Sequence, residues 1–224
     1  MSSSYERMNY ITSFGFSERW RKQFLNLLSS SNDTIEIIDL LTGMGETWSG
    51  IREKFPKAKL TAVDFSEGML QYAKEKNTKE FNNEVVILQQ DVLNNSLKNN
   101  TFDILTCAFG LKTFDSDQLN TLASEVLRVL KPGGYFSFIE ISKPQNKILL
   151  FFYTFYLNML IPVLGKLLLG DPREYKMLWK YTDKFGDSKQ AAAIFDRAGL
   201  EVRFVSYFYG CATGIVGKKR NTDF

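Results

Sequence analysis

The sequence predicts an α/β domain in which a doubly wound, mostly parallel sheet carries helices on both faces. Three observations lead there. Short β-branched or apolar runs alternate with segments of helical periodicity. A pair of glycines, Gly43 and Gly45, directly follows the first such run. A carboxylate, Asp64, closes the second run about 20 residues further on, the offset at which nucleoside-binding α/β units keep one.

Each element follows in order. Residues 19–28 read as a helix and 35–41 as the first strand. A glycine-containing turn leads into a helix over about 47–55, then a second strand over 60–64. Ser66 is a good N-cap for a helix running through 76, with Met69, Leu70 and Ala73 on one face. Residues 85–88 and 102–109 are the third and fourth strands, and 119–130 a helix. The turn Lys131-Pro132-Gly133-Gly134 precedes a fifth strand over 135–141. Beyond it the character changes. Residues 148–169, 175–185 and 189–198 look helical, and 200–209 and 214–217 look like closing strands. Without repeats, low-complexity tracts or a linker, residues 1–224 are expected to form one domain of ordinary size.

Composition narrows the chemistry. A hydrophobic share of 44% is enough for a sizeable core, and 19 Phe with 10 Tyr suggest an aromatic-lined cavity or an aromatic-rich core. A net charge of +3 without long single-sign blocks gives no nucleic-acid footprint. Two cysteines, Cys107 and Cys211, form no CxxC pair, which suits a reducing cytoplasm and argues against structural zinc. The absence of histidine removes His-based triads, the HExxH zinc site and His general bases together. No metal is expected. Residues 1–7 are short, polar and without an apolar core segment, so no signal peptide is expected. Residues 148–169 approach the ~20 apolar residues of a membrane span. They carry Asn158, Pro162, Gly165 and Lys166, however, which favours an apolar lid or a helix lying on a membrane.

The turn Asp39-Leu40-Leu41-Thr42-Gly43-Met44-Gly45-Glu46 stands where ligands bind in open α/β sheets, beyond the carboxyl end of a strand. Its glycines let the backbone turn tightly and approach a ligand, although alone they also make an ordinary βα turn. Asp64 can accept hydrogen bonds from both ribose hydroxyls of a nucleoside; its other reading, a helix N-cap, is already served by Ser66. Trp48 occupies the place of the third glycine of GxGxxG, which speaks against a tight pyrophosphate cradle. Glu46 near the helix start would repel phosphate but tolerate a ligand carrying an ammonium group. Asp91, after the third strand, can accept from an adenine amino group, or simply open a loop. Acidic residues at three consecutive strand ends favour a cationic sulfonium cofactor, S-adenosylmethionine, over NAD.

On these residues the chain resembles the class I methyltransferases, specifically the ubiquinone/menaquinone-biosynthesis C-methyltransferase family. The likeness runs through Tyr5-Glu6-Arg7-Met8-Asn9, Gly15, Trp20-Arg21, the Asp39–Glu46 turn, and Asp64 with Ser66 and Met69-Leu70. It continues over Thr101-Phe102-Asp103, Phe109-Gly110-Leu111, Arg128 to Gly134, Glu140-Ile141-Ser142-Lys143-Pro144, and Tyr175 with Leu178. The resemblance implies a Rossmann-like seven-stranded sheet with an antiparallel last strand, a helical lid from 1–30 and 145–185, and S-adenosylmethionine as methyl donor. It puts cofactor contacts on Met44, Asp64, Asp91, Val92 and Ala108. The family usually has Thr at the place of Met44 and Ser at that of Ala108, so two hydroxyls are missing here.

Together with the turn itself, the candidate cofactor-binding residues are Asp39, Thr42, Gly43, Met44, Gly45, Asp64, Phe65, Met69, Asp91, Val92 and Ala108. A third departure concerns the acceptor. Where the family reads Phe-Gly-Leu-Arg-Asn, this chain has Phe109-Gly110-Leu111-Lys112-Thr113, and a point charge is no substitute for a planar fork. Lys112 is the candidate catalytic residue, a cation that would favour the anionic form of a phenol or enol, or else a solvated lysine. Phe151, Phe152, Tyr153, Phe155 and Tyr156 of the lid could line a greasy pocket or pack as core. The expected activity is methylation of a small apolar aromatic or quinol-type acceptor, at carbon. O- or N-methylation of a specialised natural product, and a non-catalytic cofactor-binding relative, are the alternatives. Nucleic acid is not an expected partner; peripheral contact with a membrane and a homodimer stay open for a cytoplasmic protein.

Overall fold

The computed structural model describes residues 13, 15–161 and 173–221. Strands β1 (Glu36–Leu40), β2 (Lys59–Asp64), β3 (Val86–Gln89), β4 (Phe102–Ala108), β5 (Leu130–Ile141), β6 (Leu200–Tyr207) and β7 (Ala212–Lys219) form a seven-stranded sheet, order β3-β2-β1-β4-β5-β7-β6. Neighbours are parallel except β7, which is antiparallel to both β5 and β6. The chain steps outward from β1 to β2 and β3, then returns to lay β4 on the other side of β1. The topological switch point, where open α/β sheets keep their ligands, therefore lies between β1 and β4.

Helices are α1 (Phe16–Leu25), α2 (Trp48–Lys54), α3 (Glu67–Glu80), α4 (Ser116–Val129), α5 (Lys147–Phe155), α6 (Arg173–Phe185) and α7 (Lys189–Arg197). Alternation along the strands divides the core in two. Ile38 and Leu40 of β1 and Phe136 and Phe138 of β5 pack with α4 and α7. Ile37 and Ile139 turn to the opposite face, against Trp20, Phe24, Trp48, Ile51 and Leu70 of α1, α2 and α3. Leu119, Leu122, Ala123 and Val126 recur at helical spacing on α4, whose start is fixed by an Asp115–Gln118 capping box. Ser66 caps α3 by accepting from the Met69 N–H.

Two segments depart from expectation. Lys131-Pro132-Gly133-Gly134 is not a separate turn but belongs to β5, which pairs at Phe102↔Leu130 and resumes at Ile104↔Tyr135. The extra residues form a bulge, with Gly133 at φ 75°. The apolar segment 148–169 begins as α5, with Asn146 accepting from the Ile148 and Leu149 N–H groups. It then loosens into a π-turn, Tyr156–Leu160, against which α6 packs. Among the described residues no helix is long and apolar enough to cross a membrane. Of the expected lid, residues 1–12, 14 and 162–172 lie outside the described residues.

Candidate active site

The turn after β1 is held by a buried polar chain. Asp39, 1% exposed, accepts from the Thr42 hydroxyl and the Thr106 hydroxyl of neighbouring β4, each at 2.7 Å. The Trp48 indole N–H donates to the Thr42 oxygen at 2.7 Å. Asp39 and Thr42 are thus occupied beneath the turn and do not line the cavity described below. The backbone above takes left-handed angles at Leu41, Gly43 and Gly45, with φ of 52°, 56° and 78°. A Cβ at Gly45 would come within 2.6 Å of the Trp48 ring, so this glycine is required both by its angle and by the indole packed beneath it.

Burial pushes the Asp39 carboxyl up to about 6, against the downward pull of its two hydroxyl partners. A carboxyl that holds its proton more tightly folded than unfolded favours the folded state at low pH. That contribution is lost as pH rises from 3.8 through about 6. Relative to Asp39→Asn, wild-type stability is expected to fall by about 3 kcal/mol between about pH 4 and pH 7, two pKa units' worth. Denaturation curves of both proteins at the two pH values check this, and a pH-independent difference contradicts it.

Asp64 ends β2, 6% exposed, and each of its oxygens accepts one backbone N–H at 2.9 Å, from Gly43 and from Ser66. The carboxylate locks the β1 turn to the next strand end and keeps one further lone pair on each oxygen. The Gln90 N–H donates to the Asp64 carbonyl, which brings the end of β3 alongside. There the Asp91 carboxylate accepts from the Leu93 N–H at 2.9 Å, Val92 is buried, and Phe65 stands 67% exposed. Asp39, Asp64 and Asp91 therefore stand at the carboxyl ends of three adjacent strands.

Next to this edge opens a cavity of about 550 Å³. Gly43, Met44, Met69 and Ala108 form its wall toward the strand ends. Gly45, Asp64, Phe65, Asp91 and Val92 do not line it. Leu149, Phe152, Tyr153, Tyr156, Leu157 and Ile161 supply the facing wall from α5 and its π-turn. Of the expected aromatic lining, Phe151 and Phe155 point outward instead, 69% and 53% exposed. Burial raises Tyr153 well above its ordinary value and Tyr156 to about 12, so both hydroxyls stay protonated at neutral pH. The Tyr153 hydroxyl donates to the Cys211 carbonyl at 3.1 Å.

Lys112 departs most clearly from expectation. Its ammonium donates to Glu140 at 2.9 Å and to the Phe109 carbonyl at 2.8 Å, while its own N–H donates to the second Glu140 oxygen at 3.0 Å. Glu140 is fully buried, and a buried carboxylate requires a cation. Lys112 is therefore neither a solvated lysine nor part of the cavity wall. Among the described residues that do line the cavity, the charged ones are Arg21 of α1 and Glu46 of the turn. Arg21 escaped the sequence reading because only the docking of α1 beside the switch point brings it to Glu46; the Trp20-Arg21 pair was its one visible signal.

The model of the ubiE/COQ5 methyltransferase family matches residues 1–220 of this chain. A demethylmenaquinone methyltransferase of Listeria monocytogenes is 31% identical, covering 98% of this chain and 92% of its own. Another of that name, from Staphylococcus aureus, is 32% identical over 100% of this chain and 91% of its own. Among solved structures, a SAM-dependent methyltransferase from Aquifex aeolicus shares the fold with a TM-score of 0.58 at 23% identity, over 90% of this chain and 88% of the other.

Proposed function

Since the chain belongs to the ubiE/COQ5 methyltransferase family, and is on that ground an S-adenosylmethionine-dependent methyltransferase, we propose that it methylates a ring carbon of a quinol-type acceptor bearing an apolar tail. The observation that carries this reading is the cavity, with glycine turn and strand ends on one wall and aromatic side chains on the other. The names of the relatives support the acceptor class.

The cofactor suits the residues present. A turn with left-handed glycines and a carboxylate with two unused lone pairs is a seat for a nucleoside. In this reading Asp64 accepts from the ribose hydroxyls, Asp91, Val92 and Phe65 border the base, and Gly43, Met44, Met69 and Ala108 run along the thioether. Asp39, Thr42 and Gly45 hold the turn from below. S-adenosylmethionine, when bound, supplies an activated methyl group. What the chain adds is alignment and the exclusion of water by the apolar wall. Tyr153 and Tyr156, protonated at neutral pH, do not take up the acceptor's proton. Lys112 acts through position: by gripping the Phe109 carbonyl and Glu140 it fixes the loop that follows Ala108. An acceptor panel tests the reading. Tailed quinols should turn over well, tail-less ones less, and simple phenols and amines least; preference for an amine or a simple phenol would overturn it.

The outer face of α5 supports delivery of the acceptor from a bilayer surface. Ile148 and Phe151 of α5, and Met159 of the π-turn that follows, are 73%, 69% and 58% exposed. Phe152 is both exposed and part of the cavity wall, so apolar surface is continuous from outside to inside. Transfer of one Phe from water contributes about 1.5–3 kcal/mol. Phe151→Ser with Phe155→Ser should therefore weaken binding to phospholipid vesicles at least about 10-fold. Sedimentation with vesicles checks it; equal binding of variant and wild type, or none by either, contradicts membrane delivery through this face.

A further inference from the structure

The mouth of the cavity is aromatic, and half of it is built on a turn that resists such residues. Among the described residues that line the cavity, two are exposed, Phe152 of α5 at 63% and Phe208 at 44%. They mark where the cavity meets solvent. Phe208 opens the turn Phe208-Tyr209-Gly210 between β6 and β7, whose residues are all left-handed, with φ of 41°, 55° and 91°. Left-handed positions between antiparallel strands favour Asn and Gly, whereas bulky side chains are strained there. Burial does not account for the aromatics, because Tyr209 is 81% exposed. The Phe208 ring packs on Phe16, also in the cavity wall, with centroids 4.6 Å apart. Tyr209 stands edge-on to Phe208 at 5.8 Å. Cys211, again part of the wall, donates its N–H to the Phe208 carbonyl. The turn also lies against the lead into α5, since a Cβ on Gly210 would stand 3.5 Å from Pro144 Cα. A row of rings, Phe16, Phe208 and Tyr209, thus runs from the cavity out into solvent.

We infer that the β6–β7 turn grips the acceptor's tail, and that Phe208 is the residue that selects acceptors by that tail. The inference rests on the tailed, quinol-type acceptor proposed above. A cavity of about 550 Å³, shared with a cofactor, holds a ring system but not a long apolar chain as well. The tail leaves where the wall is open, between Phe152 and Phe208. Aromatic rings there keep it out of water along that passage. Backbone strain of this kind persists at ligand clamps, where the conformation itself is used. An Asn-Gly turn would form with less strain and give the tail nothing to hold.

Substitution by residues that suit the turn separates this from a structural role. Phe208→Asn with Tyr209→Gly fits the left-handed angles, so the melting temperature should match or exceed that of the wild type. Steady-state kinetics are then run without vesicles, so that membrane binding plays no part. The two acceptors are quinols with the same ring, one bearing a short prenyl tail and one without a tail. In the double variant the kcat/KM ratio of tailed to tail-less acceptor should fall about 10- to 100-fold, the contribution of one buried Phe, with the loss in KM. Phe208→Leu keeps an apolar side chain and should retain most of the ratio. An unchanged ratio in the double variant, or equal losses for both acceptors, would overturn the inference while the proposed acceptor class stands. If the wild type shows no preference for the tailed quinol, the acceptor reading fails and this inference falls with it.

Discussion

Replacing Lys112 with methionine is expected to destabilise the folded protein by about 3–5 kcal/mol, because it strands a buried carboxylate without its cation. Glu140 is fully buried at the end of β5, and its nearest positive charge is the Lys112 ammonium at 2.9 Å. Two backbone N–H groups, of Lys112 and Ile141, also reach Glu140, but they neutralise no charge. Chemical denaturation of Lys112→Met, Glu140→Gln and the double variant reads the coupling directly, and the double variant should regain most of the loss. Cofactor affinity of the folded single variant should change little. A loss below about 1 kcal/mol together with a collapse of turnover would mean that the ammonium serves the acceptor rather than Glu140.

Asp64→Ala should weaken S-adenosylhomocysteine by about two to four orders of magnitude. Two ligand hydroxyls would each lose a charged acceptor worth about 1.5–3 kcal/mol. The same substitution leaves the Gly43 and Ser66 N–H groups without the oxygens that now accept them, so the turn loosens as well. Asp64→Asn keeps one acceptor and should fall between. Calorimetry on the three proteins checks the series. Affinities equal within about threefold would remove the ribose assignment, since even one such bond exceeds that.

Much of the fold was legible because periodicity and local signals agree. The alternation of β1 and β5, the Ser66 cap and the i, i+3, i+4 spacing of Leu119, Leu122, Ala123 and Val126 each specify an element from within it. The bulge in β5 was not legible. Pro-Gly-Gly is ordinary turn chemistry, and only the pairing of Leu130 and Tyr135 with β4 on either side makes these residues a bulge within one strand. In the site, the glycines and Asp64 stand out because their spacing is local to one βαβ unit. The pairing of Lys112 with Glu140 was not legible, because the two are 28 residues apart and meet only across β4 and β5. Asp39 and Thr42 could not be told from ligand-facing residues by sequence, since the bonds that occupy them come from Thr106 and Trp48. Likewise the outward turn of Phe151 and Phe155, against the inward turn of Phe152 and Tyr153, depends on where α5 sits.

The most direct measurement is the position of the transferred methyl. The protein is incubated with S-adenosylmethionine carrying a trideuterated methyl group and a tailed demethylnaphthoquinol, and the product is analysed by mass spectrometry and NMR. The label is expected on a ring carbon, with both quinol oxygens unmodified. Label on an oxygen, or no transfer while S-adenosylhomocysteine binds normally, would contradict it.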